Sequence, residues 1–208
     1  MIATILGNLR NTVIAGFVIA FLIFLLYLTQ AEFNNFVFWP FLVRWFHIGS
    51  GIMWIGLLWY FNFVSTPTTP KIPAELRPAL GKFITPAALW WFRWSAMSTL
   101  VFGIILAALN GYLLQMYTLD ATEGFVNPAY VNIGIGAWLA TIMWFNVWFI
   151  IWPNQQRALN IDNAYPDLAQ PEKDKSAKTA GMFSRINTML SIPMLFAMVA
   201  TAHLYGAI

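Results

Sequence analysis

The chain has 208 residues, 60% hydrophobic and 9% charged, whereas a soluble domain carries about a quarter charged residues; a water-coated globular fold is excluded. Eleven Lys and Arg against eight Asp and Glu leave a net charge of +3, too few basic groups for a nucleic-acid footprint. The absence of cysteine excludes disulfides, thiolate nucleophiles, iron–sulfur ligation and covalent c-type haem attachment.

Crossing a bilayer takes about 20 mostly apolar residues, and five stretches are long enough. The first runs over 12–29; Leu28-Thr29-Gln30-Ala31 at its end faintly resembles a signal-peptidase site, but the span is read as a retained anchor. The second covers 38–64 and is followed by a Pro-rich connection, STPTTPKIPAELRPALGK. The third covers 86–117, with the short acidic loop TLDATEGFVNP behind it. The fourth covers 130–152, then a polar segment, 153–181, reads as loop with a short surface helix before the fifth span at 187–206. The expected architecture is an all-α polytopic membrane bundle of five transmembrane helices, one domain over residues 1–208, in contact with the lipid bilayer.

Lys and Arg collect in cytoplasmic loops. Arg10, Lys71, Arg77, Lys82, Arg157, Lys173, Lys175, Lys178 and Arg185 all fall on one side of the five spans, and Glu32, Asp120 and Glu123 on the other. The pattern predicts a multi-pass protein with its N-terminus in the cytoplasm and its C-terminus outside.

Ionisable groups within spans are costly and mark candidate sites. There are four: Arg44, His47, Arg93 and His203. Both histidines of the chain fall in the outer halves of their spans, at similar depth, as axial ligation of a b-type haem requires. Arg44, His47, Gly51 and Trp54 follow at three- and four-residue steps on one helical face. Gly51 would leave room for a flat macrocycle and Arg44 could pair with a propionate; Phe196, Ala200, His203 and Ala207 form the facing stripe. The same residues suit hydrogen bonding between helices without any cofactor. At the other end Arg93, beside Trp90, Trp91 and Trp94, could join Asn62, Asn146 and Asn187 in a pocket for a planar anion or a quinone head group; snorkelling and an interfacial tryptophan belt are the alternative.

The segments RWFHIGSGIMWIGLLWYF, LWWFRWSAMSTLVFG, GAWLATIMWFNVWFIIWPNQQRAL and SRINTMLSIPMLFAMVATAHLYG, in this order, resemble the membrane domain of the bacterial membrane-bound urate oxidase (urate hydroxylase, PuuD type). The resemblance covers about Leu42 to Tyr205 and is most specific at His47, Trp54, Gly56, Phe92, Trp94, Asn146, Pro153, Gln156, Arg157, Asn187, Pro193 and His203. It implies oxidation of urate coupled to reduction of a cytochrome c, which without cysteine here would be a separate polypeptide. Gly134 and Ile186 stand where the family is expected to carry further histidines. The pattern WFHIGxxxxWxGLxxY also resembles, more distantly, the haem-binding HemJ-type protoporphyrinogen oxidase.

These readings lead to an electron-transport oxidoreductase that holds haem b between His47 and His203 and passes electrons to a periplasmic c-type cytochrome. Two alternatives stay open. One is a cofactor-free accessory subunit of a larger respiratory or photosynthetic electron-transfer complex; the other is a urate oxidase with a detached cytochrome partner.

Overall fold

The computed structural model describes residues 2–205, which are mainly helical with no strand among them. Five helices are long and apolar enough to cross a membrane: α1 (Leu9–Gln30), α2 (Asn35–Lys71), α3 (Arg77–Leu109), α4 (Pro128–Leu159) and α5 (Gln170–His203). The chain is thus a multi-pass membrane protein. It divides into two compact units, Met1–Trp39 and Pro40–Ile208.

In the first unit the Asn8 side chain caps α1, its Oδ1 accepting from the Arg10 amide at 2.9 Å. None of the residues of α1 is buried. A helix that is apolar on every side suits lipid contact. At its far end Phe38, at the start of α2, meets Phe24 and Phe33 at 4.9 and 5.0 Å between ring centroids.

In the second unit α2 to α5 run antiparallel to their neighbours. On α2 and α3, His47 faces Thr99 and Phe61 faces Phe92; on α3 and α4, Trp94 faces Trp148; on α4 and α5, Asn132 bonds Ala197 and Thr201 while Asn146 bonds Asn187. All connections rich in Lys and Arg in this unit therefore lie at one end, the basic end, and Asp120 and Glu123 at the other, the acidic end. Trp54, Leu58, Phe92, Met143 and Val147 fill the core between the helices. Small residues let α4 and α5 close up: a Cβ on Gly136 would stand 3.2 Å from that of Ala197.

The helices outrun the apolar stretches at the basic end. α2 continues into the Pro-rich connection as far as Lys71, α4 runs on to Leu159, and α5 begins at Gln170. The polar segment is thus mostly helix, interrupted where Asn160 turns left-handed at φ 48°. At the acidic end the apolar stretch up to residue 117 is two elements instead of one. α3 stops at Leu109 because Gly111, at φ 78°, reverses the chain, and a short helix, Leu113–Thr118, follows. That helix docks on α4 at Gly134, where any Cβ would run into the Met116 carbonyl.

Three stretches widen to π-helix: Tyr60–Ser65, Leu80–Ile84 and Asn146–Ile151. Each stands just before a proline, Pro67, Pro86 and Pro153. A proline ring clashes with the carbonyl four residues back and offers no N–H. Widening the turn before it relieves that clash, and all three wide turns fall toward the basic end of the bundle.

Candidate functional site

At the acidic end His47 is half-buried against α3, its Nδ1 2.9 Å from the Thr99 carbonyl oxygen. A carbonyl can only accept, so Nδ1 carries the proton and Nε2 keeps a free lone pair. The imidazole reaches the α3 backbone because residue 103 is glycine: a Cβ there would lie 3.0 Å from His47 Cε1 and 3.2 Å from Nδ1. Gly51 has a lesser part, since a Cβ at that position would make ordinary contact with Thr99 Cγ2 at 3.8 Å. Arg44, one turn before His47, is exposed.

Arg44 acts electrostatically on Tyr112, in the turn after α3, whose ring stacks on Tyr130 at 5.9 Å. Burial pushes the Tyr112 phenol above the ordinary tyrosine range; Arg44 pulls it down and Tyr130 adds to the rise.

His203 is exposed at the end of α5. Its hydrogen-bonding neighbour in sequence, Thr201, points into the bundle toward Asn132, whereas His203 shares a helical face with exposed Ile192, Phe196 and Val199. Ala207, the last member of its stripe, lies outside the described residues. The two histidines nevertheless stand at one level. Trp59 Nε1 donates to Ser191 Oγ at 3.0 Å, and from there twelve residues back along α2 lead to His47 and twelve onward along antiparallel α5 lead to His203. Depth is matched; facing is not, as His47 turns to α3 and His203 to the outside of the bundle.

At the basic end the residues grouped in the sequence separate. Asn146 and Asn187 are buried and spend their amides on each other: Asn146 Nδ2 donates to Asn187 Oδ1 at 2.8 Å, and Asn187 Nδ2 to the Met143 carbonyl at 2.9 Å. Arg93, on α3, packs against another face of α4, its guanidinium carbon 3.9 Å from the centroid of Trp152, 5.0 Å from Trp148 and, on its own helix, 5.7 Å from Trp94. Asn62 joins neither group; its Nδ2 donates to the Leu58 carbonyl and to Ser184 Oγ at 2.9 and 2.8 Å.

Asn62 instead borders a cavity of about 140 Å³ among α2, α3, α4 and α5, walled by Phe61 and Phe92 and bearing Gln155, Ser184 and Arg185. Two of the π-helical stretches, through Phe61, Asn62, Ser65 and Ile151, help to line it. Gln155 and Arg185 sit in or beside a run that reads as polar loop in the sequence. Only the length of α4 and α5 beyond their apolar parts brings them over the cavity, and the prolines behind the wide turns are the one sequence signal for it.

Residues 114–207 match the family described as urate oxidase N-terminal. The match spans the short helix, α4 and α5, including Asn146, Gln155, Arg185, Asn187 and His203, and it begins after His47 and Arg93. Over this stretch, less than half of its length, the chain is similar to that family. The more distant likeness to the HemJ type finds no support. No curated protein and no solved structure matches the chain.

Proposed function

We propose that the chain is a redox protein of the urate-oxidase type in a bacterial inner membrane, with its basic end in the cytoplasm, and that it hands electrons to a separate periplasmic c-type cytochrome. A b-type haem at the acidic end would take His47 and His203 as its ligands and Arg44 beside a propionate; His47 is held ready for this, whereas His203, level with it but turned outward, would have to turn toward it. The observation that carries this reading is the His47 geometry. A metal-binding imidazole is ordinarily held by a hydrogen bond from its other nitrogen to a carbonyl or carboxylate, which fixes tautomer and ring direction. The Thr99 carbonyl does this for His47, Gly103 clears the approach, and Nε2 remains free to bind. For His203 the supporting observation is its level, and its exposed position leaves Nε2 and Nδ1 unspent on the protein. One-electron transfer is the chemistry that a b-type haem supplies when bound.

The test is the reduced-minus-oxidised absorption spectrum of the purified chain beside His47→Ala and His203→Ala. A b-type spectrum in the wild type, lost or shifted in both variants, is the expected result. A folded, colourless wild type would sink the haem site and favour an accessory subunit.

A second reading, oxidation of urate by this chain, draws on the family match together with the basic-end cavity. Arg185 offers a guanidinium for an anion, Gln155 and Asn62 offer amides for the alternating donors and acceptors of a purine-trione, and Phe61 and Phe92 offer ring faces. Urate added anaerobically would then reduce the protein's chromophore, and Arg185→Gln would raise the urate concentration needed.

A further inference from the structure

A guanidinium within a membrane-length helix needs a close counter-charge or several acceptors, yet among the described residues Arg93 has neither an ion-pair partner nor a hydrogen-bond acceptor. Its Nε is buried without a hydrogen-bond partner, and among the described residues it makes no ion pair. The acid that acts on it electrostatically, Asp162, is exposed in the turn after α4. What the protein supplies are ring faces: Trp152, Trp148 and Trp94 at 3.9, 5.0 and 5.7 Å. These hold the cation in place and leave its hydrogen-bonding edge uncommitted.

The level of Arg93 fits an interface. Trp152, on which it stacks, directly precedes Pro153 and the polar run Asn154-Gln155-Gln156-Arg157. Trp90 and Trp91 on the preceding turn of α3 are 48% and 55% exposed, as tryptophans at head-group depth are. Toward the bilayer centre Phe145, on the same face of α4 as Trp148 and Trp152, is 50% exposed and continues the site as an apolar track.

We infer that Arg93, clamped by Trp94, Trp148 and Trp152, binds the phosphate of an anionic phospholipid in the groove between α3 and α4, at the basic end. A phosphodiester accepts two parallel N–H bonds from one guanidinium, its negative charge supplies what the protein leaves out, and its acyl chains follow the Phe145 track. A basic site of this kind between membrane helices selects anionic over zwitterionic lipid. The site is separate from the cavity of Arg185 and from the histidines, and it stands whether or not the chain holds haem.

Full-length protein, delipidated in a neutral detergent, would be titrated with phosphatidylglycerol, phosphatidylcholine or inorganic phosphate. Thermal stability and lipid retained in native mass spectrometry would be read for the wild type, Arg93→Lys and Arg93→Gln. The expected result is stabilisation and retention with phosphatidylglycerol alone, weaker binding in Arg93→Lys, and an affinity about tenfold lower in Arg93→Gln, the loss of one charge-assisted contact. Equal responses to the two lipids in the wild type would overturn the proposal, and need no variant to fold. So would phosphatidylglycerol retained undiminished by Arg93→Gln, or protection by inorganic phosphate equal to that by the lipid, which would mark a small-anion site.

Discussion

His47 and Gly103 are complementary: one helix contributes an imidazole, the other lacks the carbon that would block it. Gly103→Val places two methyl groups in that space. It should break the His47–Thr99 hydrogen bond and cost about 1–3 kcal/mol, as overpacking does, read as a lower melting temperature together with any loss of cofactor spectrum. Asn187 has no exposed surface and serves two hydrogen bonds, so Asn187→Ala leaves Asn146 Nδ2 wanting a partner and takes from the Met143 carbonyl one of its two donors, the Asn146 backbone N–H remaining. A loss of about 1–2 kcal/mol is expected in detergent unfolding, with little change in substrate affinity. Tyr112 gives a pH signature. Its folded-state ionisation lies above the ordinary value of about 10, so its contribution to stability is complete below that value and disappears as the pH rises through the folded-state value. Alkaline melting curves should fall over that range, and Tyr112→Phe should flatten the fall.

Among the elements, the short helix Leu113–Thr118 depends on Gly134, and Gly134→Leu should detach it from α4 while leaving the long helices folded. Proteolysis within residues 110–127 would rise; unchanged protection would contradict the docking. The five membrane-length helices are legible as apolar runs, and the sidedness of charge is legible as well. The turn at Asn110–Gly111 was also present as a signal, but the apolar run to Tyr117 masks it, since hydropathy does not register a left-handed glycine. The polar extensions of α4 and α5 escape a hydropathy reading for the converse reason: a helix that leaves the apolar zone keeps its hydrogen bonds while changing its composition. At the site, His47 and Arg93 stand out as ionisable groups in apolar runs. Their partners do not, because a backbone carbonyl, a glycine and tryptophan faces become partners only when helices meet. Asn146 and Asn187, which read from the sequence as part of a pocket, also hydrogen-bond one another, a pairing that no spacing reveals.

For the molecule as a whole, the separation of charge gives a testable orientation. The chain has no native cysteine, so single cysteines report without background. In intact cells Glu123→Cys should react with an impermeant maleimide and Lys175→Cys should not until the membrane is opened; the opposite pattern would invert the protein and move the histidines to the cytoplasmic side. In the proposed orientation the acidic end, with His47 and His203 at one level, faces the compartment of a soluble cytochrome, and the basic end, with the Arg185 cavity and the Arg93 clamp, faces the cytoplasm. The central claim is that the two histidines serve one redox centre. Electron paramagnetic resonance of the oxidised, purified protein tests it, because a b-type haem held by both imidazoles would be low-spin when ferric. The account predicts a low-spin signal that becomes high-spin in His47→Ala and in His203→Ala; a high-spin signal in the wild type, or no haem iron at all, would contradict it.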